Sequence, residues 1–283
     1  MTAMYALFKE SGLETGNPWQ HKIQYKKKYL ELDNFSNDTW FKVRYRFNVD
    51  ANVDPQTMAA MEAVIERPHI WKVYLNGQEI SPATDRWWLD THFPVFPIGS
   101  LVKTGENVIE LQAPKMSVFA EIMPVYILGD FNVESIAKGF TIRPSTNPGL
   151  NIWKTAGLPF YSNAVSYSRE YVVNEPAGKH RLTMGSWNGS VAEVWVNGEK
   201  AGTIGWDPYT LDITSSIRQG TNNVEVRVKG SLKNTLGFHH RVLSGWIFGP
   251  FSWNQSPEHQ PAGEAYQFMD NGMFGEFTIS NQR

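Results

Sequence analysis

Cysteine is absent from all 283 residues. That absence excludes disulfides, thiol nucleophiles and cysteine-ligated metals, and it leaves the redox compartment open. An excess of charge of one sign is also missing. The 26 Lys and Arg against 28 Asp and Glu give a formal net charge of −2, and basic residues are scattered apart from Lys26 to Lys28. Such a distribution leaves no electrostatic footprint for nucleic acid, and neutral substrates or weakly charged polymers fit it better. No apolar run approaches the roughly 20 residues of a membrane helix. Residues 1–16, MTAMYALFKESGLETG, lack both a basic start and a long apolar stretch, so they do not read as a signal peptide. They resemble the middle of something longer, and the chain reads as a piece of an exported protein. Phosphate loop, dinucleotide glycine fingerprint, nucleophile elbow and zinc helix motif are all lacking.

What the chain has in plenty is aromatic surface: 13% of residues, with 11 Trp and 11 Tyr. Two cores do not need tryptophan at that density, so some of it is expected at the surface for a reason.

A cassette organises the rest. VWVNGEKAG, Val194 to Gly202, alternates apolar and polar residues and then meets Asn-Gly, a dipeptide that tolerates the positive φ of a tight hairpin. TNNVEVRV, Thr221 to Val228, sets Val224, Val226 and Val228 against Glu225, Arg227 and Lys229, the pattern of a strand buried on one face. The same pair occurs earlier as WKVYLNGQEI (Trp71 to Ile80) and TGENVIELQ (Thr104 to Gln112). Gly105, Asn107 and Glu110 fall on Gly220, Asn222 and Glu225 at one offset, which also puts Ile98 on Ile213 and Val102 on Ile217. The spacing back to Asn-Gly is six residues longer in the first copy. This is an internal duplication with a loop insertion.

Elsewhere TWFKVRYRFNV, Thr39 to Val49, is a strand with Phe41, Val43, Tyr45, Phe47 and Val49 on one face. Asp54 and Pro55 resemble a helix cap and first position, while Glu62 to Glu66 is read as a strand. EIMPVYILGDFNV, Glu121 to Val133, is the crossover, so the domains are taken as residues 1–134 and 135–283. The fold class is all-β: two tandem antiparallel β-sandwiches of jelly-roll type, with little helix.

The run VWVNGEKAGTIGWDPYTLDITSSIRQGTNNVEVRV resembles the galactose-binding-like, sugar-binding β-sandwich of glycoside hydrolase family 2 enzymes. The order IERPHIWKVYLNG, WWLD, GENVIEL, VYILGDFNV, GLPFYSNAVSY, VWVNG and LKNTLGFHH resembles the carboxy-terminal tail of large bacterial α-L-rhamnosidase-like enzymes. The resemblance covers most of residues 59–283 and implies a non-catalytic carbohydrate-binding or accessory region of a polysaccharide-degrading glycosidase. Its partners would be a plant or microbial polysaccharide and the catalytic domain of a parent enzyme, and its location extracellular or periplasmic. Two alternatives stand beside it: hydrolysis by this chain itself, for which Glu170, Glu193, Asp207 and Asp212 are the available carboxylates, and a structural spacer without ligand.

Sugar recognition needs a flat aromatic face for the C–H side of the ring and planar polar groups for the hydroxyls. In the second copy Trp187 and Asn188 precede the cassette, Trp206, Asp207 and Tyr209 follow it, and Trp246 and Trp253 lie in a late loop with His240 nearby. His239 and His240 are adjacent, so on a strand they face opposite ways and could not share one metal. In the first copy Trp87 and Trp88 sit in the insertion, read as a stiff loop. Trp206 bracketing Asp207 with Tyr209 is the preferred site, and the competing reading has Trp206 folded inward as a cap. Trp195, mid-strand on the polar face, is expected to pack against a neighbouring domain. Sandwiches of the resembled type carry a structural calcium ion, for which Asp270 and Asn271 are the candidate ligands.

Overall fold

Alternating apolar residues make Phe41–Val49 (β1) a strand with one face turned inward. The computed structural model describes residues 3–13, 31, 33–237, 240 and 259–282. Among these the chain is an all-β sandwich fold. Its α-helices are short: Ala3–Glu10 (α1), Pro55–Ala59 (α2) and Lys233–Leu236 (α3). It divides into two units, residues 1–145 with 242–266, and residues 146–241 with 267–283.

The first unit contains Glu62–Val64 (β2), Lys72–Leu75 (β3), Gln78–Ile80 (β4), Trp87–Trp88 (β5), Asp90–Pro97 (β6), Gly105–Ala113 (β7), Tyr126–Leu128 (β8), Phe131–Ser135 (β9) and Phe140–Pro144 (β10). One sheet has the order β4-β3-β7-β1-β10-β9 and the other β5-β6-β2-β8. Val73, Leu75, Ile109 and Leu111 from the first pack with Ala63, Phe96 and Ile98 of the second face. The stretch after Asp54 resolves into both of its readings. The Asp54 carboxylate accepts from Thr57 N at 2.8 Å to cap α2, Pro55 takes the first position, and β2 follows.

Two features depart from the sequence reading. Strand β1 pairs antiparallel with β7 but parallel with β10. Parallel neighbours need a long connection, and most of the unit lies between these two strands. Glu134, at the join placed there from sequence, pairs with Thr141 inside the β9–β10 hairpin, so the first unit runs on to Ser145. Residues 259–266 also belong to it: Gly139 N donates to Pro261 O at 2.8 Å, and Phe140 meets Tyr266 edge-on at 5.1 Å.

The second unit contains Asn151–Ile152 (β11), Ala164–Val173 (β12), Lys179–Thr183 (β13), Trp187–Asn188 (β14), Val191–Val196 (β15), Glu199–Ile204 (β16), Thr210–Asp212 (β17), Gly220–Lys229 (β18), Gly272–Met273 (β19) and Thr278–Gln282 (β20). Its sheets run β12-β18-β15-β16, β17-β13-β20 and β11-β19-β14. Val194, Val196, Val224, Val226 and Val228 are buried against Leu182, Trp153 and Phe277. The alternation in β15 and β18 therefore does what its period requires, with one face in the core and the other wet.

Candidate functional site

The preferred site grows out of the end of β16. Asn197 and Gly198, with φ of 53° and 86°, turn β15 into β16, which runs out to residues 205–209. The far side of that loop is pinned, since Met184 N donates to Tyr209 O at 2.9 Å and Thr210 N to Pro208 O at 2.7 Å. Trp206, Asp207 and Pro208 form its exposed tip. Trp206 is 81% exposed, which excludes the inward-capping alternative, and Tyr209 is 42% exposed.

Trp187 comes from β14, whose partner is β19. Its ring is partly buried against the second core and meets Tyr209 edge-on, with centroids 5.3 Å apart at 85°. Its Nε1 is buried without an acceptor among the described residues. Asn188 beside it is exposed. The structure thus brings Trp187 and Tyr209 into contact and leaves Trp206 and Asp207 on the adjoining loop tip. Phe274, 40% exposed, joins the same end: Phe274 N and Gly275 N both donate to Ser186 O at 2.9 Å. A Cβ on Gly275 would stand 2.7 Å from Ser186 N, so only glycine permits this approach. Sequence reasoning passes over Phe274, although an aromatic between two closely spaced glycines, Gly272 and Gly275, is the signal that marks it.

The other named residues go elsewhere. Trp87 and Trp88 lie in strand β5 and not in a loop, because β6 pairs with them across a bulge. Trp87 is exposed, while Trp88 packs on Tyr126 at 5.2 Å and Phe93 at 6.5 Å. His240 belongs to a separate aromatic cluster, 5.1 Å from Phe160 and 4.9 Å from Phe268. Trp246, Trp253 and His239 lie outside the described residues. Of the calcium candidates, Asp270 has Lys154 Nζ 2.5 Å from its Oδ1, and the Asn271 side chain is buried.

Trp195 finds its partner within its own sheet. The Arg227 guanidinium lies 4.1 Å from the ring centroid, held by Glu225 through bonds of 2.7 and 3.0 Å. Those hydrogen bonds hold the Glu225 carboxyl below its ordinary range. Glu193 is likewise lowered by Lys200 Nζ at 2.7 Å and Lys229 Nζ at 3.1 Å, and Asp212 by the Thr214 hydroxyl and amide. A general acid needs the opposite shift, so neither Glu193 nor Asp212 is arranged for that role.

No family model matches the chain. Over 120 residues it is 29% identical to "Putative beta-glucuronidase" of Formosa agariphila, a match covering 40% of this chain and 10% of that protein. The chain therefore spans about a tenth of the length of the curated relative it matches. Among solved structures it is similar to a rhamnosidase from Novosphingobium sp. PP1Y, with 19% identity, coverage of 91% of this chain and 26% of that one, and a TM-score of 0.33. Streptomyces avermitilis alpha-L-rhamnosidase matches at 15% identity over 86% of this chain and 25% of that one, TM-score 0.27. Bifidobacterium dentium beta-glucuronidase matches at 19% identity over 44% and 22%, also with a TM-score of 0.27.

Proposed function

We propose that this chain is a non-catalytic carbohydrate-binding region of a larger, polysaccharide-degrading glycoside hydrolase, with saccharide held at the Trp206 end of the second unit. The observation that carries the reading is the exposure of Trp206, 81%, on a loop tip with Asp207 and beside the Trp187–Tyr209 pair. A bare indole costs apolar surface left in water, and a pyranose C–H face is an occupant that would recover it. Asp207 and Asn188 supply acceptors and donors for hydroxyl groups. The parent-enzyme context is supported by the Formosa agariphila match, of which this chain spans a tenth. The galactose-binding-like jelly-roll type, and a location outside the cytoplasm where polysaccharide is met, belong to the same proposal.

The test is a glycan array of plant and microbial saccharides probed with the whole chain, followed by calorimetric titration of the best-bound saccharide. Wild-type binding that Trp206→Ala weakens supports the reading. Unchanged affinity in the variant removes the site, absence of any saccharide binding removes the class, and turnover of aryl glycosides by the chain would replace binding with catalysis.

A further inference from the structure

The two units repeat one cassette but differ on its wet face. In the second unit Trp195 pairs with Glu225 across β15 and β18, and Arg227, two residues further on, covers its ring at 4.1 Å. In the first unit Tyr74 pairs with Glu110 across β3 and β7 in the same way, and the residue two further on is Gln112. Glutamine is uncharged and shorter than arginine, and here its Nε2 donates to Glu110 Oε1 at 2.6 Å. Tyr74 has no arginine over it: it is half-buried, and among the described residues its ring and hydroxyl make no hydrogen bond, ion pair or ring contact.

Where the second unit has its arginine cap, the first has an open groove of about 790 Å³, lined by Arg44, Tyr74, Asn76, Lys103, Glu110 and Gln112 among others. That volume lies within the roughly 300–1,000 Å³ of small-molecule sites. Arg44 Nε donates to Glu110 Oε2 at 2.5 Å, so Arg44 and Gln112 both hold the same carboxylate and are fixed relative to one another. Among the described residues this leaves the Arg44 Nη groups, Gln112 Oε1 and the Tyr74 hydroxyl without protein partners. Donors and an acceptor around one half-buried aromatic ring that lines the groove match a pyranose, whose hydroxyls both give and take hydrogen bonds and whose C–H face is apolar. Glu106 and Glu110 in the lining disfavour a polyphosphate backbone.

We propose that this face of the first unit is a second saccharide-binding site, with Tyr74 as the stacking platform and Arg44 and Gln112 as hydroxyl partners. Lys103, exposed and without an ion-pair partner among the described residues, is placed to receive the carboxylate of a uronic acid. The proposal rests on the carbohydrate reading of the chain but uses a different unit from the Trp206 site.

The experiment titrates the full chain with cellohexaose and with hexagalacturonic acid. Trp206→Ala serves as a background in which any remaining site is read alone. In that background Tyr74→Ala is expected to weaken binding about ten-fold or more, the scale of losing one stacked ring. Gln112→Arg, which rebuilds the cap that the second unit already carries, is expected to do the same without removing a ring from the sheet. Lys103→Ala weakening only the acidic probe assigns the ligand as a uronic acid; equal binding of both probes assigns a neutral chain. Tyr74→Ala and Gln112→Arg both binding as the background does overturns the groove and leaves the Trp206 site standing. The converse pattern, Trp206→Ala indistinguishable from wild type while Tyr74→Ala loses binding, overturns the Trp206 site and keeps the groove. Failure of wild type to bind either probe overturns the groove, while the Trp206 site stands or falls separately on the glycan array.

Discussion

Asn197 Nδ2 donates to Asn222 Oδ1 at 2.9 Å, and Asn76 Nδ2 donates to Asn107 Oδ1 at the same distance. Around each pair the wiring repeats. Asn222 Oδ1 also accepts from Arg218 N at 3.0 Å while its Nδ2 donates to Arg218 O at 2.8 Å and Gly220 O at 3.1 Å. Asn107 does the same with Lys103 N, Lys103 O and Gly105 O at 3.0, 2.6 and 3.1 Å. The Asn197 and Asn76 side-chain oxygens accept from Asn223 N and Val108 N, each at 3.0 Å. Each clasp ties a hairpin turn to the entry of the unit's central strand, and the buried asparagine at its centre is fully satisfied.

Asn222→Ala should therefore cost roughly 2–4 kcal/mol, because it removes the acceptor of Asn197 Nδ2 and Arg218 N where water does not reach. Urea denaturation should show the loss as a lower midpoint with an unchanged slope. Asn107→Ala should behave alike in the first unit. A cost within the ±0.5 kcal/mol of ordinary surface changes would mean that the clasp is decoration.

These four asparagines were legible in the sequence, since Asn-Gly turns and a conserved offset between copies are local patterns. The valine alternation of β18 and the cap at Asp54 were legible for the same reason. Pairings set by the finished sheet were not. That β10 lies parallel to β1 depends on a connection spanning most of the unit. Arg227 covering Trp195 depends on the register between β15 and β18, which places Trp195 opposite Glu225. Trp206 was singled out in sequence, but whether it faced in or out was open until the loop was placed, with Trp206 exposed and Tyr209 O held by Met184 N. Trp87 and Trp88 divide in the same way: Trp87 is exposed while Trp88 packs on Tyr126 and Phe93, a split set by packing and not by the dipeptide itself.

Trp206→Ala and Trp187→Ala should separate binding from support. The first removes an indole that is 81% exposed, so stability should stay within about 0.5 kcal/mol. Saccharide affinity should fall by about 1–3 kcal/mol, taking base stacking as the analogy. Trp187 is half-buried under Tyr209, and its removal should cost about 2–3 kcal/mol in stability, less than the roughly 3–5 of a fully buried aromatic. Melting curves and titrations on the same samples check both. Early melting by Trp206→Ala with undiminished affinity would reverse the assignment.

Acid should expose the work of Glu193. Lys200 and Lys229 hold its carboxyl below the ordinary 4.5, so folding favours the ionised form. A group depressed in this way contributes stability above its unfolded pKa and loses it as pH falls through the folded one. Wild type should accordingly lose stability more steeply than Glu193→Gln as the pH drops below the ordinary glutamate range. At neutral pH the gap should be at most about 1 kcal/mol and should shrink in high salt. Parallel stability curves from pH 7 into acid would show that the lysines contribute nothing through this carboxylate.

Arg227→Gln should turn the wet face of the second unit into that of the first. Arginine here stacks on Trp195 at 4.1 Å while Glu225 holds it by two hydrogen bonds, and glutamine offers neither a cation nor a fork. A cation–π contact of this partly exposed kind contributes about 0.5–1 kcal/mol. The chain has 11 tryptophans, so bulk fluorescence alone would blur the change. A double-mutant cycle with Trp195→Ala isolates it, and the coupling energy should fall in that same range of about 0.5–1 kcal/mol. Acrylamide quenching should rise in Arg227→Gln and the rise should vanish when Trp195 is replaced as well. Glu225 should titrate closer to its ordinary value in the variant, since its hydrogen bond from Arg227 is the largest cause of its lowering. Zero coupling with unchanged quenching would show that Arg227 lies over the ring without holding it, and that the contrast between the two wet faces has another origin.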